Sequence, residues 1–103
     1  MATRTVNSTA YCINGIMANG KHTHEGAVAM AGVPFGTKFR VLTGPMRGHI
    51  YKVEDRPDQH TEFDIWMRHC SDAIAYGRRT IKIERVASHS ADVEGSTDAG
   101  SQE

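Results

Sequence analysis

Dense punctuation by glycine and proline points this chain to several short strands rather than long helices. Ten Gly and three Pro occur in 103 residues, and the apolar runs between them are short. The clearest runs alternate with period two, the pattern of half-buried strands. Six strands are predicted: 5–12, 26–31, 37–43, 49–55, 62–67 and 79–86. One helix is predicted over 70–76, with Ser71 as its cap, Asp72 in its first turn and Gly77 as its stop. Polar loops are expected at 14–25 and around Pro57, and turns at Pro34-Phe35-Gly36 and Gly44–Gly48. Six short strands with a helix before the last suit a small closed barrel, because closure removes exposed sheet edges. The fold class is therefore all-β with one short helix. Periodicity does not select a barrel type.

One domain over 1–87 is the default for a chain of this length. After Val86 the composition turns to Ser, Asp, Gly, Ala and Glu, and 88–103 reads as a disordered acidic tail. Lys plus Arg equals Asp plus Glu over the whole chain, but the tail holds Asp92, Glu94, Asp98 and Glu103 and no Lys or Arg. Residues 1–86 thus carry twelve basic against eight acidic side chains, a net of +4. That bias suits an anionic surface such as a cell wall and is too weak to argue for nucleic acid. No apolar stretch approaches the ~20 residues a membrane span needs. The N-terminal residues hold no apolar h-region, so no secretory signal is read and cytoplasmic synthesis is expected. Cys12 and Cys70 pair if their segments are adjacent; without a signal, two free thiols are the favoured expectation.

The order of local motifs narrows the choice. Tyr11-Cys12, Met17-Ala18-Asn19-Gly20, Gly26-Ala27-Val28-Ala29 and Pro34-Phe35-Gly36-Thr37 follow one another, then Val53-Glu54-Asp55, Phe63-Asp64-Ile65 and Gly77-Arg78-Arg79-Thr80. Over residues 8–86 this series resembles the 3D (three-aspartate) domain, related to membrane-bound lytic transglycosylase A and rare lipoprotein A. The resemblance implies a six-stranded double-psi β-barrel acting on peptidoglycan glycan strands, with Asp64 as the catalytic acid and Asp55 as the second aspartate. The chain departs from the family at three places, the first being Met17 where the family's first turn has Thr. Ala31 stands where the first aspartate falls, and Arg56-Pro57-Asp58-Gln59-His60 replaces a Gly-rich loop. The result resembles the family's two-aspartate variants.

A lytic transglycosylase cuts between N-acetylmuramic acid and N-acetylglucosamine using the sugar's own 6-hydroxyl. The nucleophile is already positioned, and one carboxyl can serve as acid and then as base. Asp55 and Asp64 lie on consecutive predicted strands, and if these meet at one barrel end the two carboxyls push each other's proton affinities apart. Trp66 shares the Asp64 face and is expected to stack on a sugar. Tyr11 is expected to line the groove, and Lys21, His22 and His24 to sit on a loop bordering it. His22-x-His24 tempts a metal reading, but no zinc or EF-hand spacing is present, and neither metal nor other cofactor is expected. The expected partner is the glycan strand, met by a monomer at the cell wall or in a phage particle, with neither nucleic acid nor membrane engaged. Two other readings stand beside the enzyme: a non-catalytic glycan-binding barrel, and a phage structural component.

Overall fold

The computed structural model describes residues 3–87. Six strands run in chain order: β1 (Thr3–Tyr11), β2 (Ala27–Ala29), β3 (Lys38–Val41), β4 (Ile50–Asp55), β5 (Phe63–Trp66) and β6 (Arg79–Val86). One helix, α1 (Cys70–Tyr76), lies between β5 and β6. The strands close into a ring in the order β1-β5-β2-β4-β3-β6. Two pairs, β1 with β5 and β2 with β4, are parallel; the other four are antiparallel. The chain is thus all-β with one short helix, as its punctuation predicts. The expected acidic tail, 88–103, lies outside the described residues.

Period-two alternation decides which side chains fill the barrel. Val6, Val28, Phe39, Val41, Tyr51, Val53, Phe63, Ile65, Ile81 and Ile83 are buried in one core. Phe63 sits at its centre, edge-on to Phe39 and to Tyr51 at centroid distances of 6.2 and 6.3 Å. The one hydroxyl on the inward face of β1, Ser8, is fully buried and satisfied: it donates to the Phe63 carbonyl (2.8 Å) and accepts from the Tyr76 hydroxyl (2.8 Å). A buried polar group so paired costs little, whereas an unpaired one costs about 1–3 kcal/mol.

Two local expectations change. The helix cap is His69, which makes no side-chain capping bond, so Ser71 does not cap α1. Gly77 ends the helix as expected, at φ 62° with its N–H on the Ala73 carbonyl. The cysteines are not free. Cys12 and Cys70 form a disulfide with Cα atoms 5.1 Å apart. The pairing follows from topology: β1 lies beside β5 in parallel, so the residue after Tyr11 arrives next to the chain that leaves Trp66 and enters α1.

Candidate functional site

The two acids meet through β2. In strand register, Thr9 of β1 lies beside Asp64 of β5, Asp64 beside Ala29 of β2, and Ala29 beside Asp55 of β4. The inward neighbours on β5 are Phe63 and Ile65, so Asp64 faces outward. Ala29, itself buried, lies between the two acidic strands and sets only a methyl group between the acids. The Cα atoms of Asp55 and Asp64 are two strand spacings apart, roughly 9–10 Å.

A β-bulge sets the Asp55 end of this row. Val28 pairs with Val53 but Ala29 pairs with Asp55, so Glu54 is an extra residue on β4. Its carbonyl takes the Asn19 N–H (3.1 Å) instead of a ladder partner. Its side chain is 2% exposed, accepts from Asn19 Nδ2 (3.0 Å) through Oε1, and places Oε2 2.6 Å from His24 Nε2. The His24 ring faces an acceptor on its other side too, with Nδ1 2.8 Å from the Glu25 carbonyl oxygen. Oε2 has no other hydrogen-bonding partner among the described residues. Glu54 therefore ties the 14–25 loop to the barrel. The His24→Ala variant, which orphans that oxygen, is expected to lose about 1–3 kcal/mol of stability, read by urea denaturation.

Asp55 is held by three donors. The Ala18 N–H (2.9 Å) and the Arg56 N–H (2.9 Å) reach Oδ1, and the Tyr11 hydroxyl (3.1 Å) reaches Oδ2. Burial, then the charge and hydrogen bond of Asp55, then the charges of Asp64 and Glu54, hold the Tyr11 phenol above its ordinary range. Tyr11 therefore stays a proton donor. Asp64 accepts from Thr9 Oγ1 (2.8 Å), which lies 2.7 Å from Thr61 Oγ1. Burial raises the Asp64 carboxyl above the usual aspartate range; the charges of Asp58 and Asp55 add to it, while the Thr9 bond and the Arg78 charge oppose it. Arg78 donates to Asn7 Oδ1 and to the His60 carbonyl, pinning the 56–61 loop beside β1.

A raised folded-state proton affinity gives stability that is present at low pH and lost as pH rises through the folded value. Ionised Asp64 thus weakens the fold near neutrality. An Asp64→Asn variant keeps an acceptor for Thr9 and is expected to melt above wild type at pH 7. The difference should close below the ordinary aspartate range of about 3.9, and equal melting at both pH values would count against the burial.

No protein-family model and no curated protein matches this chain. Site residues must therefore be judged on their own geometry. Tyr11, Asp55 and Asp64 come together. Lys21 is exposed on the 14–25 loop, where its N–H meets Asn19 Oδ1 (3.0 Å) and its carbonyl takes the Met17 N–H (2.7 Å). Trp66 requires a correction. It is 3% exposed, and its Nε1 donates to the Ile13 carbonyl (2.9 Å), so the ring is buried rather than presented beside the acids. Trp66 instead edges a cavity of about 570 Å³ at the other end of β4 and β5, lined also by Met46, Tyr51, Met67 and Tyr76. Neither acid lines that cavity.

Sequence reasoning missed Thr9 and Glu54. Thr9 was findable, because it is two residues from Tyr11 and so shares its strand face. Glu54 was not, because a bulge breaks the period that assigns faces.

Proposed function

We propose that this chain is a 3D-like double-psi β-barrel that acts on peptidoglycan, cleaving the bond between N-acetylmuramic acid and N-acetylglucosamine as a lytic transglycosylase. The observation that carries the reading is the row Thr9–Asp64–Ala29–Asp55. It sets a half-buried carboxyl of raised proton affinity beside a second, fixed acid across one small residue. The closed six-stranded barrel is compatible with the double-psi form.

In this reading protonated Asp64 gives its proton to the glycosidic oxygen as the bond to the anomeric carbon breaks. The 6-hydroxyl oxygen of the same sugar attacks that carbon, and Asp64 takes up the hydroxyl proton. No water is consumed, and the carboxyl ends as it began. Asp55, fixed by Tyr11, Ala18 and Arg56, supplies negative charge beside the developing cation. The disulfide supports a place of action outside a reducing cytosol, as a cell wall is.

A second reading, glycan binding without cleavage, is favoured by Ala31, which stands where the resemblance places a first aspartate. Incubating the protein with purified sacculi tests both. Release of 1,6-anhydro-muropeptides supports the enzyme. Retention on sacculi without release supports the binding barrel. Neither release nor retention overturns both.

A further inference from the structure

The residue after Asp55 does more than cap it. Arg56 gives its backbone N–H to Asp55 Oδ1 and sends its side chain the other way, over the turn that follows β2. Nη1 donates to the Met30 carbonyl (2.7 Å) and the Val33 carbonyl (2.8 Å), using both of its hydrogens. The guanidinium carbon stands 4.0 Å from the centroid of the Phe35 ring, a cation–π contact. Phe35 is itself 42% exposed. Its turn is held on both sides, by the Gly36 N–H on the Val53 carbonyl (2.8 Å) and by Thr37 Oγ1 on the Pro34 carbonyl (2.7 Å). Gly36 adopts φ 94°, which a residue with a side chain takes only with strain. Aromatic ring, guanidinium and site carboxylate are therefore one fixed unit.

Two features of that unit point to a ligand. An aromatic ring is left in solvent on a braced turn, in contact with the side chain of the residue that follows Asp55. The Arg56 charge is uncompensated: none of the ion pairs among the described residues includes it. Nε and Nη2, with three N–H groups, have no hydrogen-bond partner among the described residues. A planar cation with unclaimed donors beside an apolar ring matches a sugar that offers a C–H face and a carboxylate. A neutral sugar would use the ring and leave the charge unanswered.

We infer that Phe35 and Arg56 form a subsite for an anionic sugar next to Asp55, with Phe35 stacking on the ring and Arg56 binding its carboxylate. This rests on the glycan reading above and adds the substrate class: strands whose muramic acid residues carry free lactyl carboxylates, in preference to neutral chitin-type strands.

Titration calorimetry with peptide-free muramic acid–glucosamine strands and with chitotetraose separates the possibilities. Wild type is expected to bind the anionic strands about tenfold tighter, the scale of one charge-assisted bond. Phe35→Ala should weaken both ligands by about fivefold and leave their ratio unchanged, while Phe35→Trp restores binding. Arg56→Gln should bring the ratio close to one. Because Arg56 also braces the turn, its ratio is read only alongside an unchanged melting temperature, and the Phe35 pair stands as an independent arm. If wild type binds these glycans and Phe35→Ala binds like wild type, the subsite is wrong and the glycan reading survives. An unchanged ratio in folded Arg56→Gln also overturns it. If wild type binds neither ligand, both inferences fall together.

Discussion

Asp64→Asn is expected to cut release of 1,6-anhydro-muropeptides from sacculi by at least about 10²-fold, the usual worth of a positioned proton donor. The substitution keeps the shape of the side chain and an acceptor for Thr9 Oγ1, so the strand row survives and only the exchangeable proton is lost. Retention on sacculi should persist. The pH dependence separates this role from a passive one. Burial and the nearby Asp58 and Asp55 raise the proton affinity of Asp64, so wild type should remain active above the pH at which an ordinary aspartic acid is ionised. Its activity should then fall as pH rises through the shifted value. Any residual activity in Asp64→Asn should lack that alkaline fall. A variant that releases products as fast as wild type would remove Asp64 from the mechanism.

Loss of the Cys12–Cys70 disulfide is expected to have the largest effect on stability. The bond links residues 58 apart and encloses β2, β3, β4 and β5. Chain-entropy arguments put the restriction of such a loop at about 4 kcal/mol, and removal of native bridges from small domains typically costs about 2–5 kcal/mol. For a domain of this size 2–4 kcal/mol lowers the melting temperature by roughly 10–30 °C. The double variant Cys12→Ser, Cys70→Ser should show this loss without reductant and should no longer respond to it. A wild-type protein that melts within about 3 °C with and without reductant would refute the prediction, given the slope above. Because Ile13 follows Cys12 directly, the reduced protein should also hold the Ile13 carbonyl against Trp66 less firmly, visible as faster hydrogen exchange at the Trp66 indole N–H.

Much of the barrel was legible in the chain. The alternation in Arg79–Val86 and the helix between Cys70 and Tyr76 appear as expected, because local pattern and tertiary packing agree there. Ala27–Ala29 is shorter than its apolar run: Met30 still gives its N–H to the Asp55 carbonyl (3.1 Å), and the chain then turns away at Gly32, whose φ is 82°. The disulfide was misjudged because it depends on a parallel pairing between strands about fifty residues apart, which no local pattern encodes. Trp66 was misjudged for a related reason. Its strand face was assigned by period, but the indole is buried and tied by its N–H to a loop about fifty residues earlier. The meeting of Asp55 with Asp64 needed β2 between their strands, an arrangement that adjacency in sequence hides.

The ring order has a consequence for how the molecule assembles. β6 pairs with both β1 and β3, so the first and third strands wait for the last before either has a neighbour on that side. A nascent chain that has emerged only as far as Tyr76 leaves two bare backbone edges able to capture one another or a second copy. Contacts so distant in sequence also form slowly. Refolding yield should therefore fall with rising protein concentration, and variants that slow the arrival of Arg79–Val86 should aggregate before they lose equilibrium stability.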